Sequence, residues 1–512
     1  MSAVQAREER LQRSSSRPLT LTLTKISPTP AQIGLITVLG AILVVALAPR
    51  LDPDLWWHVK VGAWIVARHA VPDRDTYSFT VYGKPWTDHE WLAEVLLYVL
   101  YQMGGVWGPI VFFAGVIGAT FSLVYLSMRR LGVSAFLAVF VLAAVAFASS
   151  ASWGPRIQML TLFLFALFQY LLLRYRESGN RRILFAFPAL MLVWANLHAG
   201  FVVGLAVIAI AAVGAWLDQR SARLKSGGRA DPAHLVVTGL ASFAVTIFNP
   251  HGYRLLLYPL TFLMPNAFTN QIQESASPNF HTPVMMLFAA LLLGLIATLV
   301  VRRPRLSWVS LLTIVAFTWL ALSQARNVPL WCVAVGPILA FGIQSTAVRK
   351  GESAPRLPSR RRAVANLVLT TAVLGLLAGE GSRFIQPSAV SQAMRDQFPV
   401  ASVSYLASHR LPRNTLVSYN WSGYFIGRLG PRYRTFLDLR ADTVFNNTVL
   451  QAYLDTYGAA PDWESTLRRY RVGTILVEHT APLAQVLRES RHWKLVQSDR
   501  LSVVYVAATR RR

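Results

Sequence analysis

Apolar side chains run in long, almost unbroken stretches along most of this chain. Stretches of roughly 17 to 22 residues are long enough, at about 1.5 Å rise per residue, to cross a ~30 Å hydrocarbon layer. They fall near 31–49, 106–127, 133–152, 157–173, 183–198, 201–217, 234–249, 283–301, 307–323, 328–345 and 363–380. This pattern predicts a polytopic α-helical membrane protein with about eleven to twelve spans. The stretch 252–264 is apolar but short and contains Pro259, so it is expected to be re-entrant or interfacial. Two regions break the pattern. Between the first two runs, residues 50–105 form a large loop with two amphipathic stretches, Leu55–His69 and Glu90–Met103, which predict helices along the membrane surface. From 381 to 512, β-type runs (Thr415–Tyr419, Thr435–Leu439, Thr474–Val477, Ser502–Ala507) alternate with helical patterns (Ala401–Ser408, Thr448–Tyr457, Asp462–Tyr470, Ala481–Arg488). Such alternation predicts a soluble α/β domain with a mostly parallel sheet. The expected organisation is a tail (1–30), a membrane domain (31–380) and this C-terminal domain (381–512).

Composition excludes soluble and disordered alternatives: 54% of residues are hydrophobic, only 14% are charged, and mean hydropathy is +0.41. A net charge of +26 would suggest nucleic acid in a soluble protein. Here the basic residues cluster in every second connection: the N-terminal tail, Arg129–Arg130, Arg174 to Arg182, Arg220 to Arg229, Arg302 to Arg305 and Arg349 to Arg362. These read as cytoplasmic loops. The N-terminus is then cytoplasmic, the C-terminal domain extracytoplasmic, and no nucleic-acid partner is needed. The single cysteine, Cys332, lies in an apolar run and excludes a disulfide framework, a cysteine zinc site or a redox motif. No cleavable leader is expected before the first run.

Unusual polar residues gather in the alternate, outer connections. The first loop carries Asp52-Pro-Asp54-Leu-Trp-Trp57-His58 and then Trp86-Thr-Asp88-His89-Glu90-Trp91. A carboxylate beside tryptophans at a membrane surface is partly desolvated, which suits a general base or a metal ligand. The plainer alternative is an interfacial aromatic belt with acids that merely solvate the loop. Further along lie Trp153-Gly-Pro-Arg156, Trp194-Ala-Asn196-Leu-His198, Asn249-Pro-His251, the sole acid Glu274 between Pro250 and Pro283, and Arg326. An arginine at an outer helix end runs against the positive-inside trend and invites an anionic partner such as a phosphate, or else snorkels to headgroups. His198 and His251 read equally well as satisfied interfacial histidines.

In combination these elements resemble the GT-C superfamily of membrane glycosyltransferases. The likeness is strongest to oligosaccharyltransferase catalytic subunits, which carry an acidic Asp-Pro-Trp-Tyr-His-type first-loop element, a Glu loop, a phosphate-binding arginine and an aromatic element opening a soluble C-terminal domain. Here that last element is Tyr419-Asn-Trp421-Ser-Gly423-Tyr424. Trp194-Ala-Asn-Leu-His198 and Asp438-Leu-Arg440-Ala-Asp442 also look like parts of bacterial polyprenyl-phosphate-sugar-dependent transferases. The resemblance implies catalytic roles for Asp54, Asp52 and Glu274, with Arg326, His58 and Arg156 on the donor phosphate. Trp57, Asp88, His89, Glu90, His198, Trp421 and Tyr424 would bind acceptor or substrate. An optional Mg²⁺ or Mn²⁺ would sit on Asp54 and Glu274. The C-terminal element lacks the aspartate that reads a peptide sequon, and the Glu loop reads Gln-Glu-Ser-Ala-Ser, which weakens a peptide acceptor.

What the resemblance implies is inverting transfer of a sugar from a polyprenyl-phosphate donor, in the cell inner membrane, to a glycan, lipid or protein acceptor on the extracytoplasmic face. Asp54 would be the base. En bloc oligosaccharide transfer is one alternative. Another is a non-enzymatic transporter or flippase for a lipid-linked sugar, which is expected to keep polar groups near the bilayer midplane and to show repeated halves.

Overall fold

A computed structural model of the chain describes residues 26–221, 229–256, 273–345 and 359–508. The N-terminal basic tail, most of the short apolar segment 252–264 and most of the basic linker 349–362 lie outside the described residues. In chain order the helices begin with α1 (Pro30–Ala46), α2 (Leu55–Arg68), α3 (Trp91–Gly104), α4 (Trp107–Arg130), α5 (Ala135–Ser149), α6 (Gln158–Ser178) and α7 (Ala186–Leu197). They continue with α8 (Phe201–Arg220), α9 (Pro232–Val245), α10 (Pro283–Ala297), α11 (Trp308–Ser323), α12 (Val328–Gln344) and α13 (Arg360–Ile385). All except α2 and α3 coincide with the apolar runs.

Among the described residues, seven helical segments are long and apolar enough to cross a membrane, and α1, α9 and α11 are shorter apolar helices. The chain is a multi-pass membrane protein. Side chains of Thr29, Ser134, Asp231, Ser307 and Ser359 cap the N-termini of α1, α5, α9, α11 and α13 by accepting from backbone N–H groups of the first turn. Within the bundle, bulky rings fill the space between helices: Phe168 meets Phe187 at 4.9 Å and Trp194 at 5.2 Å, and Phe165 meets Phe317 at 5.0 Å between ring centroids. Lipid tails are as apolar as these side chains, so close packing rather than escape from water holds the helices together.

The C-terminal region continues through α14 (Pro387–Gln397), α15 (Val400–Ser408), β1 (Asn414–Val417), α16 (Ser422–Leu429), β2 (Arg434–Thr435) and α17 (Ala441–Val444). It ends with α18 (Asn447–Tyr457), α19 (Trp463–Arg469), β3 (Thr474–Glu478), α20 (Pro482–Glu489), β4 (Trp493–Ser498) and β5 (Ser502–Ala507). The sheet order is β2-β1-β3-β5-β4. The expectation of a mostly parallel sheet is corrected here: β2, β1 and β3 run parallel, but β5 is antiparallel to both β3 and β4. A short turn joins β4 to β5, and only an antiparallel pair can be joined that way. β4 escaped the sequence reading, having exposed Lys494 and Leu495 where a buried strand would be apolar.

α2 and α3 are the helices expected in the first loop, but they do not stand alone on a surface. Trp57, Val61, Ile65, Tyr77, Val81 and Trp86 of that loop share one hydrophobic core with Leu416, Ile426, Phe436 and Val477 of the C-terminal region. The loop also joins the sheet edge: Thr435 N–H donates to Tyr77 O (3.0 Å), and Phe79 N–H donates to Thr435 O (3.1 Å). Glycines permit these approaches. A Cβ on Gly62 of α2 would stand 2.1 Å from the Glu94 carbonyl of α3, and one on Gly423 would stand 2.2 Å from the Pro53 carbonyl. The C-terminal region is thereby locked over Asp52-Pro53-Asp54.

Candidate active site

Where the bundle meets the α/β region lies a cavity of about 720 Å³. Its lining includes Asp52, Asp54, Trp57, His58, Asp88, His89, Glu90, Arg156, His198, Glu274 and Arg326, together with Tyr419, Asn420 and Arg440 from the C-terminal side. Residues from eight separate stretches of the sequence thus converge at one end of the bundle. The connections carrying Arg130, Arg176 and Arg229 are held together elsewhere, through Arg130–Glu177 (3.0 Å), Arg176–Ser307 (2.9 Å) and Arg229 N–H to Arg176 O (2.9 Å).

Asp54 sits at the N-terminus of α2 without capping it. Its own N–H donates to Asp52 Oδ1 (2.8 Å), while its Oδ1 accepts the indole N–H of Trp57 one turn on (2.8 Å). Arg156 enters from the connection before α6. Its Nε lies 2.6 Å from Asp52 Oδ2, and its two terminal nitrogens donate to Glu274 Oε1 (2.7 Å) and Oε2 (3.0 Å). Burial raises Asp52 despite this guanidinium. Burial and the neighbouring Asp52 carboxylate push Asp54 up to about 7. Burial also works against Glu274, but its bonds to Arg156 win and bring it below the usual range. The result is one carboxylate poised to exchange a proton near neutrality beside another held ionised, the kind of separation that acid–base chemistry needs.

Glu274 and Arg326 arrive together. Each lies on a short 3₁₀ turn, and Ala325 N–H donates to Ala276 O (2.8 Å), joining the two turns. Arg326 Nε donates to Gln324 Oε1 (2.9 Å). His198 follows α7. Its Nδ1 accepts from Gly200 N–H (2.9 Å) and pairs with Thr161 Oγ1 (2.9 Å), which itself accepts the Trp194 indole N–H (2.9 Å). The proton therefore sits on Nε2, 3.4 Å from Glu90 Oε1. His58 and His89 also face Glu90, each at 3.7 Å. Burial keeps all three imidazoles neutral: it takes His89 down to about 3 and, with Arg326 and Arg156 nearby, His198 down to about 4, and it lowers His58 as well.

Beneath them lies a second acid pair. Burial and the Asp88 carboxylate raise Glu94 well above the ordinary range, and burial raises Asp88 to about 6. Glu94 Oε1 meets His58 Nδ1 at 3.1 Å. Glu94 was not singled out in the sequence, although an acid inside the apolar run Trp91 to Leu97 is a legible signal. Arg440 was quoted only as part of a motif. It is bound by Asp438 (2.8 Å) and Asp75 (2.6 Å) and lies 4.9 Å from the Trp86 ring centroid.

Two expected substrate contacts fall elsewhere. Trp421 and Tyr424 are buried in a core with Trp56 and Phe398. Trp421 donates its indole N–H to Gln397 O (3.0 Å), and Tyr424 packs edge-on against Trp56 at 5.3 Å. They anchor the C-terminal region and offer no sugar platform, because the helix beginning at Ser422 turns that face inward. A bridging cation on Asp54 and Glu274 also finds no convergent ligand set: Glu274 is turned onto Arg156, and no group of three His, Cys, Asp or Glu residues among the described residues is arranged to hold a metal.

No family model and no curated protein matches the chain. Solved structures do. ArnT from Cupriavidus metallidurans bound to undecaprenyl phosphate superposes with a TM-score of 0.52 at 14% identity, covering 93% of this chain and 97% of that one. The oligosaccharyltransferase of Archaeoglobus fulgidus, tethered to an acceptor peptide containing the NVT sequon, gives 0.50 at 11% identity, covering 86% and 69%. The chain shares the fold of both.

Proposed function

We propose that this protein is a membrane glycosyltransferase that moves a sugar from a polyprenyl-phosphate donor to an acceptor hydroxyl or amide. The observation that carries the reading is Asp54, raised to about 7 and placed in a cavity with Arg156 and Arg326 at the end of a membrane bundle of GT-C fold. Asp54 takes the acceptor proton, and the acceptor attacks the anomeric carbon with inversion. Arg326 and Arg156 stabilise the departing lipid phosphate, whose charge grows in the transition state. Arg156 supplies this charge by leaving Glu274 for the phosphate, a bidentate exchange that suits a guanidinium. No step is routed through a metal.

The described basic connections lie away from the cavity end, and the positive-inside trend supports reading them as cytoplasmic and the cavity as opening on the extracytoplasmic face of the inner membrane. A transporter reading is less favoured, because the polar groups gather at one end of the bundle rather than at mid-depth. The test is sugar transfer from a panel of polyprenyl-phosphate sugars by purified protein in detergent, wild type against Asp54→Asn. Equal turnover removes Asp54 as the base, and wild-type inactivity with every donor removes the enzyme reading.

A further inference from the structure

On the C-terminal region, apart from the cavity, Arg410, Leu411, Arg413, Arg432 and Tyr433 enclose a second hollow of about 530 Å³. Three guanidinium-bearing residues line it and no carboxylate does. Arg410, Arg413 and Arg432 are exposed, and no described residue forms an ion pair with any of them. The wall is nevertheless organised. Arg432 donates to Ala407 O (3.0 Å) and His409 O (3.4 Å) at the end of α15, and its guanidinium lies 5.4 Å from the Tyr433 ring centroid. Tyr433 is buried, with its hydroxyl on Leu406 O (3.0 Å) and accepting from Leu411 N–H (3.3 Å).

Sheet polarity fixes the position of this hollow. β1 and β2 run parallel, and the turns that follow them bring Tyr419, Asn420, Leu439 and Arg440 to the catalytic cavity. Arg413, just before β1, therefore belongs to the opposite end of the parallel strands, roughly 13 Å away along a four-residue strand. Arg434 opens β2 at the same end, and Arg471, just before β3, is tied there by Asn414 Nδ2 donating to its carbonyl (3.3 Å). That end thus carries Arg410, Arg413, Arg432 and Arg471 exposed to water, while the half-buried Arg434 lies over the Tyr82 ring at 3.9 Å.

We propose that this arginine-lined hollow binds a phosphate-type oxyanion presented from water, separate from the donor phosphate in the cavity. Guanidinium groups suit the paired oxygens of such a group, and the distance from the bundle disfavours a headgroup of the host bilayer. The proposal does not depend on the transfer reaction.

Full-length protein in detergent is titrated with pyrophosphate by calorimetry, comparing wild type, Arg326→Gln and the double variant Arg410→Gln/Arg413→Gln. The expected result is saturable binding, weakened by added salt, that survives Arg326→Gln and falls at least tenfold in the double variant while the melting temperature holds. Absence of saturable binding overturns the proposal, as does binding that the double variant leaves intact. A parallel arm measures flotation with vesicles of equal phosphatidylglycerol and phosphatidylcholine. Capture that depends on Arg410 and Arg413 without pyrophosphate binding overturns the aqueous source. Arg432→Lys, which keeps the charge but loses the fork, provides a second reading and is expected to weaken binding less than the double variant.

Discussion

Two carboxylate–arginine–carboxylate groups stand within the same cavity wall, and they differ in what surrounds them. Arg440 lies between Asp438 and Asp75 with all three side chains almost completely buried, and Asp75 is further bonded to Ser78 Oγ (2.6 Å). Burial works against the charge of Arg440, but the two acids hold it charged. Arg156 lies between Asp52 and Glu274, yet Glu274 keeps 47% of its side chain exposed and sits on a short turn. The first group is closed and joins the first loop to the C-terminal region. The second is open on one side, so its partner can be exchanged for a ligand. The same residue types serve as a clasp when both acids are buried, even with Arg440 Nη1 left without a hydrogen bond, and as a site when one acid is exposed to the cavity.

The largest effect is expected at the clasp. Arg440→Met leaves Asp438 and Asp75 buried without a counter-charge and costs about 3–5 kcal/mol. Limited proteolysis is expected to release the C-terminal region in the variant and not in wild type, and resistance equal to wild type would show that the clasp is not structural. Next comes Asp54→Asn, expected to lower transfer about 10²- to 10⁴-fold without loss of fold. The sign of its stability effect separates the two groups. Asp54 has its folded value near 7 against an ordinary 3.8, so the folded protein holds the extra proton between those values and loses stability as pH rises through that window. The Asn variant is therefore expected to melt at or above wild type at pH 8, whereas the Arg440 variant melts below it.

A smaller effect is a shift of pH dependence. Transfer by wild type is expected to rise with pH and level off above about 7, as Asp54 ionises. In Arg156→Gln the lost guanidinium no longer favours the ionised form, so the rise moves to higher pH by about one unit. An unmoved profile would detach Asp54 from the open group. Smallest of all, Trp421→Phe loses ring volume and the indole bond to Gln397 O, which costs stability, but it is expected to leave the donor KM within about twofold, because Trp421 lies in a core and not in the cavity lining. Addition of EDTA is likewise expected to leave turnover unchanged, because Arg156 already provides a positive charge between Asp52 and Glu274.

Much of the architecture was legible in the chain. The apolar runs became helices within a few residues of their expected ends, because uninterrupted hydrocarbon length is a local property that lipid reads directly. The first-loop helices and most strands of the C-terminal region were equally visible as periodicity. Among the expected site residues, Asp52, Asp54, His58, Asp88, His89, Glu90, Arg156, His198, Glu274 and Arg326 all line the cavity. The pattern that marked them was polarity at alternate helix ends. Trp421 and Tyr424 misled for the opposite reason: an aromatic residue looks the same in sequence whether it faces a ligand or a core, and both are buried in a core, Trp421 at the end of the 3₁₀ turn before α16 and Tyr424 within α16.

What the sequence determined by itself is the set of apolar helices, the alternation of basic clusters between connections and the stock of carboxylates, histidines and arginines near one end of the bundle. Those follow from composition and spacing, which act along the chain. Only the tertiary structure decided which arginine meets which acid, that burial beside Asp88 raises Glu94, and that β5 reverses the sheet. These depend on burial and on approach between segments distant in sequence, as when Gly423 lets the C-terminal region close over Pro53, and no local pattern records such contacts.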